Sequence, residues 1–372
     1  MIEMFKEWFE VRHEYAREWR KKTGGKVLGC FCTYVPEEIL VAADVLPVRL
    51  LGSHQPQNVT EPHIFGMFCP FCRDVLAQGL QGRYEYLDGI MISQSCLHLR
   101  QAYTSWDLHV PVGFSHYLPM PHHVQSPHAV AFARAEFDVF RKKVEKWTGK
   151  AITDDDLLRG IDIVNRDRQL MKQVYELRKR EAVPISGLES MYMVVSSQMT
   201  DKQEHARIVG EVLRELAQRK LKTGTRLMLL GSENDDSEFI GMVESVGATI
   251  VQDDHCTGTR YFWDEVELDG DPLTAIAERY VNRLPCPTKD WPQRRRIERI
   301  QQFAKDWNAR GAIVIQQKFC DPHELDIPAI RKHLEDAGVK TLFLELDVTV
   351  PVGQFKIRVE AFLEMLAEED LF

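Results

Sequence analysis

Two spacings of apolar residues alternate along this chain, and their order predicts its elements. Residues 1–22 have helical spacing, with Phe5, Trp8, Phe9, Val11 and Tyr15 on one broad face. Short apolar runs then take over. Lys26–Phe31 and Pro47–Leu51 predict strands on either side of a helix, Thr33–Val45, whose first turn is Pro36-Glu37-Glu38. The segment around Cys69 and Cys72 opens with turn residues and becomes helical through Asp74–Leu80, and Asp88–Ile92 and Val110–Phe114 read as further strands. Beyond Pro127 the pattern is long, charged and helical, over His128–Trp147, Asp154–Arg180 and Lys202–Leu221. Short runs return with strand Arg226–Leu230, helix Ser237–Val246 closed by Gly247, and strand Ala248–Val251. A helical stretch from Pro272, a Pro-rich loop at Pro285–Pro292 and a basic helix, Arg294–Arg310, follow. Ala312–Ile315 is an apolar strand, Leu325–Ala337 a helix stopped by Gly338, Thr341–Glu345 a strand and Phe355–Glu369 the last helix.

The halves repeat one order: strand, helix, strand, long insertion, strand with a cysteine at its end, helix, strand. That order predicts an α/β chain with two doubly wound parallel-sheet domains of flavodoxin or Rossmann type. They would face each other across a cleft with the sheet carboxyl ends inward. The expected division is 1–127 for an N-terminal α/β domain with its leading helix, 128–221 for a helical middle section and 222–372 for a C-terminal α/β domain.

A chain of 372 residues exceeds what one compact core organises. Hydrophobic content of 44% and charged content of 28% are those of a soluble globular protein. A net charge of −9 argues against nucleic acid or an anionic membrane as partner. No apolar run approaches a membrane span, and the charged N-terminal stretch has no signal-peptide core, so the expected location is cytoplasmic.

The eight cysteines change the picture most. In a reducing compartment they are expected to be free, metal-bound or catalytic. Five lie early, at Cys30, Cys32, Cys69, Cys72 and Cys96, and three late, at Cys256, Cys286 and Cys320. Strand Asp88–Ile92 runs into Ser93-Gln94-Ser95-Cys96. Strand Ala312–Ile315 leads to Cys320, followed by Asp321-Pro322, a helix start. Both thiols fall where open α/β sheets place ligands. With Cys69 they are expected at the cleft, where thiolates suit an iron–sulfur cluster. Buried free thiols satisfy the same spacing. Cys69-Pro-Phe-Cys72 is a CxxC: a redox pair, half of a zinc site completed by Cys30 and Cys32, or a source of a further cluster ligand.

Other motifs read more plainly. Asp253–Arg260, a polar stretch after a strand, is favoured as an ordinary surface turn over a cleft loop. His116, His122, His123 and His128 sit among prolines as in a solvated loop, and Arg294-Arg295-Arg296 reads as an exposed helix face. Neither a P-loop nor a GxGxxG is present, so no ATP or dinucleotide loop is recognisable.

Five pieces, taken together and in order, resemble one family. They are Cys32-Thr-Tyr-Val-Pro-Glu-Glu with Ala42-Ala43; Phe68-Cys69-Pro70; the Asp88–Cys96 strand and cysteine; Gly247–Arg260, with its Asp-Asp-x-Cys-x-Gly-x-Arg core; and Lys318-Phe319-Cys320-Asp321 with Leu344–Asp347, Gly353-Gln354 and Arg358–Glu364. Over nearly its whole length the chain resembles the subunits shared by ATP-dependent benzoyl-CoA reductase and 2-hydroxyacyl-CoA dehydratase. It looks most like the smaller cluster-bearing subunit of the class I reductase. The resemblance implies a 4Fe–4S cluster on Cys69, Cys96 and Cys320, or an enlarged double-cubane cluster that draws further ligands from Cys72, Cys32 and Cys256. It also implies a homologous larger cluster-bearing subunit, ATPase activator subunits with a bridging cluster, ferredoxin as upstream donor and an aroyl-CoA substrate. ATP would be used by the partners and not bound here. One position departs: the family's middle cysteine is often followed by Asp, whereas Leu97-His98 follows Cys96, which weakens a dehydratase assignment.

The function this implies is that of an iron–sulfur subunit of a hetero-oligomeric oxidoreductase. It would deliver low-potential electrons that reduce an aroyl-CoA to a cyclic dienoyl-CoA. The alternatives are the smaller subunit of a 2-hydroxyacyl-CoA dehydratase, a radical lyase that recycles one electron, and a non-catalytic electron carrier or zinc-stabilised scaffold.

Overall fold

The structure, a computed structural model, describes residues 1–290 and 292–368. Trp291 of the Pro-rich loop and Glu369, the end of the expected last helix, lie outside them.

Mostly aliphatic runs buried on both faces form the central strands, as parallel sheets covered on both sides require, while two edge strands, Ser115–Leu118 and Lys340–Leu346, are more polar and only partly buried. Strands β1 (Lys26–Cys30), β2 (Val45–Arg49), β3 (Gly89–Ser93) and β4 (Ser115–Leu118) pair in parallel in the order β2-β1-β3-β4. Strands β5 (Thr225–Leu230), β6 (Ala248–Asp254), β7 (Gly311–Gln317) and β8 (Lys340–Leu346) pair in parallel in the order β6-β5-β7-β8. Counted within each half, both orders are 2-1-3-4, the flavodoxin-like pattern. In that pattern the chain reverses its winding between the first and third strands, and a crevice opens at their carboxyl ends. The two doubly wound α/β units predicted from the apolar pattern are therefore present.

Differences from expectation have local causes. The strand expected at Val110–Phe114 forms instead at Ser115–Leu118, where the ladder to β3 begins at Ile90↔Ser115; Pro111 has no amide to give a ladder. The N-terminal helix is two, Glu3–Glu10 and Arg12–Thr23, broken at Val11 with φ −104° and ψ 29°. Helix Gly187–Ser197 escapes the pattern, because Met191, Met193, Val194 and Val195 bury it all round and leave no polar face to set a period. Its start is nonetheless written in the sequence as a capping box of Ser186 and Glu189.

The two sheets are tied by exchanged helices and a buried charge network. Phe5 and Trp8 of the first helix pack into the core around β5 and β7, while Leu273, Ile276 and Val281 of helix Pro272–Asn282 pack into the core around β1 and β3. Glu37 and Glu38 open helix Glu37–Ala42 just after β1 and are themselves buried. Glu38 pairs with Arg168 at 2.6 Å and accepts from Tyr280 Oη, and Glu37 accepts from Tyr261 Oη at 2.8 Å. Gly160 permits this approach, since a Cβ there would meet the Glu38 carbonyl oxygen at 2.3 Å. No helix among the described residues is long and apolar enough to cross a membrane.

Candidate metal centre

The carboxyl ends of both sheets open onto one cavity of about 80 Å³, and seven of the eight cysteines line it. Cys32 and Cys96 arrive after β1 and β3, and Cys256 and Cys320 after β6 and β7. Cys69 and Cys72 come from the start of helix Pro70–Leu80, and Cys286 from the Pro-rich loop. All eight cysteines are unpaired. Cys30 is the exception to the gathering: it lies within the first sheet and its thiol donates to the Leu28 carbonyl at 3.5 Å. That takes one of the four thiols out of the zinc arrangement the sequence allowed.

Cys69, Cys96 and Cys320 occupy the same kind of position. Each immediately precedes the first turn of a helix: Pro70–Leu80, Leu97–His109 and Asp321–Asp336 respectively. Pro70 and Pro322 sit in those first turns, where a missing amide costs nothing. The Cys96 sulfur accepts the Leu99 amide at 3.4 Å. Helix N-termini present unpaired amides and partial positive charge, which favour a thiolate. Phe319 turns the chain into Cys320 at φ 60°, a left-handed conformation that costs a non-glycine residue about 1–2 kcal/mol. The strain sets the direction in which Cys320 leaves β7.

Charge in the cavity is unevenly shared. The Cys69 and Cys72 sulfurs share a hydrogen bond at 3.2 Å. That bond, outweighing desolvation and helped by His98, holds the Cys69 thiol down at about 6. Cys96 is lowered as well, chiefly by its hydrogen bond with Cys72. Cys72 is pushed well up by burial and by donating to both neighbours. Burial also pushes Cys320 well up, and the nearby Cys69 and Cys96 sulfurs add to the effect. The cavity thus concentrates soft, electron-rich donors whose full ionisation requires cations among them.

The chemistry of this donor set, soft thiols from separate elements, fits the ligands of an iron–sulfur cluster. Among the described residues, no group of three or more His, Cys, Asp or Glu is arranged to hold a metal ion. The ligands of an iron–sulfur cluster bind different irons and stand apart by the width of its core. The thiols of Cys69, Cys96 and Cys320 lie on three separate helix ends and line one cavity, and soft donors of this kind fit the irons of such a cluster.

Several motifs sit differently from their sequence reading. Asp253–Arg260 is not a surface turn: Asp253, Asp254, His255, Thr257, Thr259 and Arg260 are all buried. Asp253 accepts the Thr259 amide at 2.7 Å, and Asp254 pairs with Arg260 at 3.2 Å and Arg296 at 2.6 Å. The polar residues satisfy one another, which composition alone does not reveal. Arg296 is consequently buried in the face expected to be exposed. His116 is buried too, stacked on Phe140, whereas His122, His123 and His128 are exposed as expected. Sequence reasoning also passed over Cys286, Arg49 and Glu233 on the cavity wall. Nothing around Arg49 or Glu233 in the sequence marks them; only the topology brings them to the cavity.

Comparison with known proteins places this geometry. Residues 32–366 match the HGD-D family model, described as 2-hydroxyglutaryl-CoA dehydratase, D-component, a span that includes all seven cavity cysteines. The chain is 28% identical over 367 residues to the (R)-phenyllactyl-CoA dehydratase beta subunit of Clostridium sporogenes, 97% of each chain. It is 25% identical over 328 residues to a benzoyl-CoA reductase subunit of Thauera aromatica, 85% of this chain and 84% of the relative. It is 24% identical over 356 residues to the beta subunit of lactoyl-CoA dehydratase of Anaerotignum propionicum, 94% of each chain.

Proposed function

The chain belongs to the HGD-D family, and from that premise we propose that it is the smaller, cluster-bearing subunit of a hetero-oligomeric 2-hydroxyacyl-CoA dehydratase. The reaction is loss of water from a 2-hydroxyacyl-CoA to give the 2-enoyl-CoA. The observation that carries the reading is the convergence of Cys69, Cys96 and Cys320, each at a helix N-terminus, on one cavity between two sheets. These three would hold a 4Fe–4S cluster, and Cys72, Cys32 and Cys256 stand on the same wall as further donors for an enlarged one. When bound, such a cluster supplies single electrons at low potential. The chain's own residues fix the thiolates and exclude water with Phe71, Leu99, Pro287 and Pro322. The beta-subunit relatives support a larger partner subunit, and an ATPase activator would deliver the starting electron.

A second reading is the aroyl-CoA reductase that the sequence resemblance suggests. Leu97 following Cys96 favours it, as does the likeness to the Thauera aromatica protein. One experiment separates the two. The anoxically reconstituted complex, with its activator, is given a 2-hydroxyacyl-CoA and benzoyl-CoA side by side, and reductant consumption is followed. Enoyl-CoA formed with far less than one reducing equivalent per turnover supports the dehydratase. A dienoyl-CoA formed with reductant used in every turnover supports the reductase. Zinc without iron or sulfide counts against both.

A further inference from the structure

Arg49 ends β2 and lines the cysteine cavity while only 5% exposed. Its backbone is fixed on both sides. It lies opposite Cys30 in the ladder to β1, and its amide donates to the Gln198 carbonyl at 2.9 Å. The Gln198 side-chain amide in turn donates to the Cys256 carbonyl at 3.0 Å, which fastens the end of β2 to the Cys256 corner of the other half. The guanidinium carbon stands 5.4 Å from the ring centre of Phe71, the residue between Pro70 and Cys72 in the first turn of helix Pro70–Leu80. The charge therefore has a set place beside the corner that presents Cys69 and Cys72.

What the side chain lacks is a partner. Arg49 Nε and Nη1 have no hydrogen-bond acceptor, and among the described residues no carboxylate forms an ion pair with it. Glu233, the one acid on the cavity wall, leaves it unpaired, and neither Glu233 carboxyl oxygen receives a hydrogen bond. Every other buried Arg or Lys among the described residues donates to an oxygen. Lys289 donates to the Gln94 and Pro121 carbonyls at 2.8 and 3.2 Å, Arg283 to the Thr33 carbonyl at 2.7 Å, and Arg168 meets the Glu38 carboxylate at 2.6 Å. A guanidinium does not lose its proton in a protein, and a buried charge left without a partner is strongly unfavourable. Arg49 is the exception, and it is the one buried cation on a wall lined by seven thiols.

We propose that Arg49 is the counter-charge and hydrogen-bond donor for the centre held by Cys69, Cys96 and Cys320, and that it raises the reduction potential of that centre. The inference rests on the reading of the cavity as a cluster site and makes no demand on where an acyl-CoA binds. The sign follows from charge. One electron taken from the reductant adds one negative charge to the centre. A fixed cation beside it stabilises the more negative form, and N–H donation to sulfur acts in the same direction. Arg49 itself forms and breaks no covalent bond, and no proton moves. It is a positioning residue: Gln198 sets where its backbone stands and Phe71 where its guanidinium rests.

A redox titration followed by EPR on the anoxically loaded full-length chain tests this without turnover. Wild type, Arg49→Gln and Arg49→Lys are compared, with iron and sulfide assayed on the same samples. At the potential that leaves the wild-type centre half reduced, Arg49→Gln should show a reduced-to-oxidised ratio about tenfold lower, a midpoint lower by ~59 mV for one electron. Arg49→Lys keeps the charge and should stay within about threefold of wild type. An Arg49→Gln chain that holds no iron, beside an Arg49→Lys chain with the wild-type midpoint, also supports the counter-charge. Full iron with an unchanged midpoint in Arg49→Gln overturns the inference. Equal shifts or equal iron loss in both variants overturn it too, since they assign Arg49 to packing on Phe71. A wild-type chain without iron counts against the cluster reading itself, and the inference falls with it.

Discussion

His98 Nε2 stands 3.6 Å from the Asp321 carboxylate, so the corner that presents Cys96 meets the corner that presents Cys320. The same ring accepts the Cys69 amide at Nδ1, 3.2 Å away. One imidazole therefore stands against all three proposed ligand corners, with Nε2 facing the Asp321 carboxylate. The residue pair Leu97-His98, a departure from the family's usual sequence, thus contributes a bridge through its second member.

Removing that bridge should loosen the centre without unfolding the chain. His98→Ala leaves the buried Cys69 amide without its acceptor, a loss of about 1–2 kcal/mol. Iron release to a chelator under anoxic conditions should be faster than in wild type, with unchanged far-ultraviolet circular dichroism. Equal release rates would show that His98 has no part in holding the corners together.

Cys96→Ala and Cys320→Ala should each lose iron and the visible absorbance of a cluster while remaining folded. Cys30→Ala is the internal control: its sulfur lies in the sheet and bonds to the Leu28 carbonyl. It should keep its full iron content. The comparison is read by iron assay and absorbance of the three variants isolated side by side.

The charge pair that ties the halves should matter for stability. Arg168 and Glu38 are both buried and 2.6 Å apart, so Glu38→Ala leaves an uncompensated buried cation and should cost about 3–5 kcal/mol. The double variant Glu38→Leu/Arg168→Met should recover much of that loss. Urea unfolding of the three proteins gives the comparison, and a double variant as weak as the single one would contradict the assigned cause.

Stability should also depend on pH through His54. Burial opposes its charge, but the Asp235 carboxylate raises the imidazole to about 10. A raised histidine stabilises in full below its unfolded value of about 6.5, and this contribution shrinks above that and is gone near pH 10. Asp235 is lowered, so its contribution is present above the unfolded value of about 4 and is lost as pH falls below it. The Tm difference between wild type and His54→Gln should therefore be largest near pH ~5–6 and vanish toward pH ~10.

Much of this was legible in the residue pattern. Both sheets could be read because parallel strands buried on two faces appear as unbroken aliphatic runs, as in Ala312–Ile315. The start of helix Asp321–Asp336 could be read from Asp321-Pro322, because proline marks a first turn. Helix Gly187–Ser197 was hidden because complete burial erases its period. The burial of Asp254 and Arg296 was hidden because two polar residues 42 positions apart become core only when paired. Glu233 and Arg49 carry no local signature, and only the shared 2-1-3-4 winding brings the end of β2 and the loop after β5 to the thiols.

Iron and acid-labile sulfide, quantified together with EPR on the anoxically isolated full-length chain, decide whether three distant thiols share one inorganic centre. The expected result is about four irons and as many sulfides per chain, or more for an enlarged cluster, with a cluster EPR signal on reduction. Both should disappear from the Cys69→Ala/Cys96→Ala/Cys320→Ala variant. Iron and sulfide retained in full by that variant, or zinc alone in the wild-type protein, would contradict the assignment.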